Sequence, residues 1–128
     1  MKKRTENHPR PMTALYVVAL FSIGGLAGCH SRFVEATIDN QASHPLHLVE
    51  VDYPSAGFGT STIAAHAQYH YRFKILGSGS VKLSFTDDAG KVHASSGPEL
   101  DEGQEGSLAI TVDDGGNVKW QPQLRTPR

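Results

Sequence analysis

The sequence is poor in sulfur. Among its 128 residues, cysteine occurs once, at Cys29, and methionine twice, at Met1 and Met12. A single cysteine cannot form an internal disulfide, so packing and hydrogen bonds must hold the fold together. The lack of methionine after Met12 argues against a copper(I) site, because copper(I) prefers thioether and thiolate ligands.

An excess of positive charge is also missing from most of the chain. From Cys29 onward the sequence has 8 Lys and Arg against 12 Asp and Glu, a balance of −4 with histidine neutral. Recognition of nucleic acid depends on a positively charged surface. The composition therefore excludes nucleic acid as the partner of this region.

Helical periodicity is lacking too. After residue 32, no window shows an apolar face at helical spacing that persists over three turns. Short runs of β-branched, aromatic and aliphatic residues alternate instead with turn residues, which is typical of an all-β protein. We predict strands at 33–38, 46–53, 60–63, 69–76, 80–86, 91–94, 107–112 and 118–120.

This spacing predicts the fold class. Seven or eight short strands with turns between them are typical of an antiparallel β-sandwich, immunoglobulin-like or related, and a small closed barrel is the alternative. The segment 69–76 shows the alternation most plainly. One face has Tyr69, Tyr71, Phe73 and Ile75, and the other has His70, Arg72 and Lys74. Such a strand has one face in the core and one in water.

The N-terminal region has a different composition. Residues 1–11 are polar and cationic, and residues 12–27 are apolar apart from Thr13 and Ser22. A cationic stretch followed by an apolar stretch is typical of a secretory signal. The apolar stretch is shorter than the ~20 residues that span a bilayer comfortably as a helix. An uncleaved signal anchor is the alternative interpretation.

The four residues Leu26, Ala27, Gly28 and Cys29 end this region. They resemble the bacterial lipobox, in which Leu, two small residues and Cys are recognised together. The resemblance implies that the Cys29 sulfur carries diacylglyceryl and that the signal is cleaved before Cys29. Acyl chains would anchor the protein stably to a membrane. Because His30 rather than Asp follows, the enterobacterial sorting rule favours the outer membrane over the inner membrane.

The chain therefore divides into four predicted parts. They are a signal peptide at 1–28, the lipidated cysteine with a short tether at 29–32, a β-sandwich at 33–121 and a flexible tail at 122–128. The domain after the tether resembles those of uncharacterised small β-sandwich lipoproteins, and no motif links it to a characterised family. We predict a location in the cell envelope, on the periplasmic side or the surface of the outer membrane.

Histidine is the first candidate for chemistry. His44 and His47 are three residues apart, and His66 and His70 are four apart. On a helix these spacings could direct both imidazoles at one metal ion. In the predicted loops and strands these spacings do not direct the imidazoles at one point. We therefore expect solvated surface histidines and no cofactor. A periplasmic copper or zinc site using some of these residues, with His93, is the alternative.

Aromatic residues near residue 54 are the second candidate. Tyr53 and Phe58 flank Pro and Gly residues just after the longest predicted strand. Aromatic side chains on a loop at the end of a sandwich often bind partners. We therefore consider Tyr53 and Phe58 a candidate partner loop, and packing against the end of the core is the alternative.

The sequence contains no catalytic motif that we recognise. Cys29 is not free to act as a nucleophile if it is lipidated, and no G-x-S-x-G elbow occurs. We therefore predict a protein that is not an enzyme: a non-catalytic binding or structural module, attached to the membrane through Cys29, with a protein or glycan partner. A metal-binding protein is the first alternative and a small hydrolase the second.

Overall fold

The structure is a computed structural model, and it describes residues 32–127. The predicted signal peptide, the lipobox and Cys29 lie outside the described residues. Within 32–127 no helix is long and apolar enough to cross a membrane. The described region holds eight strands: β1 (Val34–Asn40), β2 (Leu46–Tyr53), β3 (Ala56–Ile63), β4 (Gln68–Phe73), β5 (Gly79–Thr86), β6 (Val92–Leu100), β7 (Glu105–Val112) and β8 (Val118–Arg125).

The strands form two four-stranded sheets, which confirms the predicted sandwich. One sheet has the order β4-β1-β7-β8 and the other the order β3-β2-β5-β6. All pairings are antiparallel except that of β1 with β7, which is parallel. In an immunoglobulin domain the second strand lies beside the first. Here β1 lies between β4 and β7, so the fold is a related sandwich with a different strand order.

Alternation of apolar and polar residues produces the core. In β1, Val34, Ala36 and Ile38 are almost completely buried, while the residues between them face outward or are partly exposed. In β7, Leu108 and Ile110 repeat this pattern. Because successive side chains of a strand point to opposite faces, each sheet presents one apolar face to the other. The facing side chains form a single core cluster.

Strand β8 extends further than the sequence predicts. Its ladder with β7 continues to the pair Glu105–Arg125, and Pro122 lies opposite Leu108. Proline is tolerated here because β8 is an edge strand, where a missing N–H does not interrupt a ladder on its free side. The Nε1 of Trp120 also donates to Ser95 Oγ at 3.0 Å. Residues 122–125 of the predicted tail therefore belong to β8.

Loops gather at two opposite ends of the sandwich. We call the end where β1 begins the N-terminal pole; it includes residues 32–33, 54–55, 74–78 and 101–104. Hydrogen bonds join these segments, for example from Gly103 N to Ile75 O and from Leu76 N to Ser55 Oγ. We call the other end the distal pole; it includes residues 41–45, 64–67, 87–91 and 113–117. The seven residues of β1 separate the two poles by roughly 20 Å.

Candidate functional site

A cavity of about 280 Å³ opens at the distal pole. Its floor is apolar and includes Leu46 and Phe85, both buried. Its rim is polar and comes from three loops, those between β1 and β2, between β5 and β6 and between β7 and β8. The charged and titratable side chains around it are those of His44, Asp87, Asp88, His93, Asp113 and Asp114.

Two of these loops are built alike. In the first, Asp87 Oδ1 accepts hydrogen bonds from the backbone N–H groups of Ala89 and Lys91, each at 2.9 Å. In the second, Asp113 Oδ1 accepts from Gly115 and Asn117, also at 2.9 Å. Both turns therefore have an aspartate whose side chain closes the turn, as expected for short polar residues in hairpin loops.

These bonds lower the pKa of both turn aspartates. For Asp87 the largest cause is the side-chain hydrogen bond from His93, followed by the backbone N–H of Lys91. For Asp113 it is the backbone N–H of Asn117. Hydrogen bonds to a carboxylate favour its charged form. Both carboxylates are therefore ionised at neutral pH and add negative charge to the rim.

His93 connects the rim to the core. Its Nε2 lies 2.8 Å from Asp87 Oδ2, and its ring is parallel to that of Phe85, with 4.8 Å between centroids and 8° between planes. Gly116 also lies against the imidazole, where an added Cβ would come within 2.8 Å of His93 Cε1. The ring thus contacts both Phe85 and the β7–β8 turn.

The second aspartate of each turn binds the loop between β1 and β2. Asp114 Oδ1 accepts hydrogen bonds from Ser43 N at 2.7 Å and from Ser43 Oγ at 2.9 Å. These bonds lower the pKa of Asp114, with the backbone N–H as the largest cause. Asp88 faces two histidines, with Oδ1 2.8 Å from His47 Nε2 and Oδ2 3.5 Å from His44 Nδ1. The loop is therefore held from both sides.

A buried amide fixes the start of the same loop. Asn40 is completely buried, and its Nδ2 lies within hydrogen-bond distance of the carbonyl oxygens of His44, Ile63 and Ala64, at 2.9, 3.1 and 3.0 Å. Its Oδ1 accepts from Ala42 N at 3.0 Å. One side chain thus satisfies backbone groups of the β1–β2 connection and of the end of β3 with the residue that follows it.

The four histidines named from the sequence do not form one group. His44 and His47 meet at Asp88, whereas the Nδ1 of His70 lies 3.0 Å from Thr37 Oγ1 on the outer face of the first sheet. His66 is exposed in the β3–β4 connection, with φ of 61°. Within residues 32–127, no group of three or more His, Cys, Asp or Glu side chains has an arrangement that could hold a metal ion.

The two aromatic residues of the candidate partner loop lie in or beside the core. Phe58 belongs to β3 and is 7% exposed, and it stacks on Tyr71 with 4.3 Å between centroids. Tyr53 ends β2, is partly buried and packs on Phe73 at 4.4 Å. Burial raises the pKa of the Tyr53 hydroxyl. The connection between the strands is only Pro54 and Ser55, so Phe58 is not on an open loop.

The paired aspartates around the cavity were not predicted from the sequence as site residues. Asp87–Asp88 and Asp113–Asp114 fit hairpin turns and have a sufficient explanation there. The repeat of Asp-Asp, a variable residue and Gly at both turns was the available signal. The order of the strands in the two sheets cannot be deduced from the sequence, and this order is what places both turns at one pole beside His44.

Comparison with known proteins supports the fold alone. No protein-family model matches the chain, and no curated protein matches it. Among solved structures, it is similar to a protein from Eubacterium rectale determined by NMR, with a TM-score of 0.52 and 16% identity. The match covers 79% of this chain and 96% of the other. This similarity agrees with the sheet order, which shows an eight-stranded β-sandwich over the described residues.

Proposed function

We propose that this chain is a lipid-anchored lipoprotein of the bacterial cell envelope, attached through Cys29, favouring the outer membrane, with a non-catalytic binding or structural domain. One observation carries the proposal. The folded unit begins at Arg32, three residues after Cys29. The lipobox-like residues therefore end immediately before the fold begins, which is where cleavage and lipidation would leave the whole sandwich outside the membrane.

The position of the cavity fits a binding role. The chain enters the sandwich at the N-terminal pole, and the cavity opens at the distal pole. With the anchor on Cys29, the cavity would face away from the bilayer and be accessible to a partner. Concave sites with an apolar floor and a few polar groups are common binding sites.

The polar groups at the cavity support a non-catalytic role. Asp87 and Asp113 accept backbone hydrogen bonds within their own turns, and Asp114 accepts from Ser43. The Ser43 hydroxyl thus bonds to a carboxylate, whereas a nucleophilic serine needs a base such as histidine in contact with it. These side chains fix the loops in place, which a binding surface requires.

Replacement of Cys29 tests the anchor. We expect wild-type protein in cells to incorporate an alkyne-labelled fatty acid and to enter the detergent phase after Triton X-114 separation. Cys29→Ala should lose the label and remain as the uncleaved precursor, because the modified sulfur is missing. Ser31→Ala, two residues away, is the matched control and should behave as wild type. Equal labelling of Cys29→Ala and wild type would refute the anchor.

Metal binding is the second candidate function. The observation in its favour is that His44 and His47 both contact Asp88. Zinc titration of the purified domain tests it, because a functional site needs stoichiometric binding that His47→Asn abolishes and His70→Asn does not. Weak binding that neither change affects would leave the anchored binding module as the single proposal.

A further inference from the structure

A row of cationic side chains runs along the outer face of β4 toward the N-terminal pole. Arg72 and Lys74 are exposed and alternate with buried Phe73 and Ile75. Leu76 continues the row and is 68% exposed. This face therefore combines positive charge with exposed apolar surface.

An aromatic ring lies among these cations. Arg72 Cζ is 3.9 Å and Lys74 Nζ is 5.0 Å from the centroid of the Phe33 ring. Phe33 immediately precedes β1 and follows Arg32, which is exposed. Aromatic rings and long cationic side chains are enriched where proteins meet the headgroup region of a bilayer, since their apolar and polar parts suit both environments.

We propose that this face, comprising Arg32, Phe33, Arg72, Lys74 and Leu76, docks on the anionic lipid surface to which the chain is anchored. The inference rests on the proposed lipidation of Cys29. Phe33 is four residues after Cys29 in the chain, a span of at most about 14 Å. A lipid on Cys29 would therefore hold this face within reach of the headgroups at all times, so weak contacts suffice to orient the domain.

The distribution of charge favours this orientation over the reverse. The distal pole has four aspartates, Asp87, Asp88, Asp113 and Asp114, which an anionic surface repels. Acidic residues also lie close to the cationic face. Glu35 Oε1 is 3.5 Å from Arg72 Nε, and the loop that contains Asp101 and Glu102 bonds to the segment after β4 through Glu102 N to Ser78 Oγ at 3.1 Å and Gly103 N to Ile75 O at 3.0 Å. The contact with the anionic surface should therefore be made through Arg72 and Lys74, on the outer side of β4.

The experiment uses Cys29 as a chemical handle. The chain from Cys29 onward, which contains all eight strands, is coupled through its only thiol to a maleimide lipid in nanodiscs. This attachment does not depend on bacterial lipidation, so the docking and the anchor are tested separately. A gadolinium-labelled lipid in the disc broadens the amide NMR signals of residues near the headgroups. Discs of phosphatidylglycerol with phosphatidylethanolamine are compared with discs of phosphatidylcholine.

We expect the anionic discs to broaden the signals of Phe33, Lys74 and Leu76 strongly and those of the distal pole weakly. Each Lys or Arg near an anionic surface contributes about 1 kcal/mol, or roughly a fivefold change in the ratio of docked to free domain. Arg72→Gln combined with Lys74→Gln should therefore reduce that ratio about 25-fold. The matched control, Lys91→Gln with Lys119→Gln, removes the same charge elsewhere and should leave the pattern unchanged.

Three results would overturn the proposal. The first is the same broadening pattern in anionic and zwitterionic discs. The second is broadening of residues 87–91 and 113–117 equal to that of residues 72–76. The third is an equal effect of the two double variants, since that would reflect net charge and not this face. Failure of lipidation in cells would refute the anchor without changing the disc result.

Discussion

The side-chain Nδ2 of Asn40 donates a hydrogen bond to the backbone carbonyl of Ile63 at 3.1 Å, deep in the sandwich. This bond joins the end of β1 to the end of β3, which belong to different sheets. It depends on a polar side chain with no exposed surface. Buried polar groups of this kind are costly unless every hydrogen bond is formed, so the position should tolerate little change.

Replacement of Asn40 tests this role. Asn40→Leu removes the amide and leaves the backbone N–H of Ala42 and nearby carbonyls without their partner. We expect a loss of about 3 kcal/mol in the free energy of unfolding, because each unsatisfied buried group costs roughly 1–3 kcal/mol. Urea unfolding measures it. Gln41→Ala is the control, since its exposed side-chain amide donates to Asp39 Oδ2 in a solvent-exposed hydrogen bond, and a loss below about 0.5 kcal/mol is expected.

Substitutions at two glycines of the distal pole distinguish the cost of backbone strain from the cost of a steric clash. Gly90 and Gly116 occupy equivalent turn positions, with φ of 84° and 79°. An added Cβ at Gly90 meets nothing within 4 Å, whereas at Gly116 it would come within 2.8 Å of the His93 ring. We expect Gly90→Ala to cost about 1–2 kcal/mol from the left-handed backbone alone. Gly116→Ala should cost more and shift the His93 ring signals in NMR, and equal effects would contradict the contact.

The lowered pKa values of the aspartates at the distal pole predict that the folded protein loses stability in acid. Folding lowers the pKa of Asp87, Asp113 and Asp114, so the unfolded chain binds more protons in acid. Their contribution to stability is complete above the unfolded value near pH 4 and is lost as the pH falls through the folded values. Asp114→Asn should therefore flatten the decrease of stability below about pH 4, measured by urea unfolding from pH 2 to pH 6. Gln41→Ala, which removes no titratable group, should leave the slope as in wild type.

Replacement of Leu48 by glycine should stabilise the protein. It is 69% exposed and has φ of 51°, where a β-bulge adds one residue to β2 relative to β5. A non-glycine residue in the left-handed backbone region lowers the free energy of unfolding by about 1–2 kcal/mol. The gain from glycine is partly offset, because glycine is more flexible in the unfolded chain. We expect Leu48→Gly to raise the free energy of unfolding by about 0.5–1 kcal/mol. Val92→Gly, equally exposed in β6 without a positive φ, should lower it, and a loss in both variants would contradict the strain.

The sequence predicted the fold well where one face of a strand is buried. The range 46–53 matches β2 at both ends, and the alternation at 69–76 correctly assigned Phe73 and Ile75 to the core. Period-two alternation reflects burial directly, so these predictions needed no knowledge of neighbouring strands. The pairing of β1 with β7 could not be predicted in this way, because it joins residues far apart in the chain and depends on sheet order.

The candidate site was less predictable for the same reason. Phe58 lies between two glycines, which indicated a bend, yet Gly57 and Gly59 are part of β3, where added Cβ atoms would collide with β2. Local composition therefore suggested an exposed loop where packing against Tyr71 and Phe73 buries the ring. The meeting of His44 with Asp88 likewise requires two loops at one pole, which no local pattern indicates.

Mass spectrometry of the protein isolated from its own cells tests the central claim most directly. The proposal predicts an N-terminal peptide that begins at Cys29 and carries the mass of a diacylglyceryl group on its sulfur. An intact precursor that retains residues 1–28 and a free Cys29 thiol would contradict it.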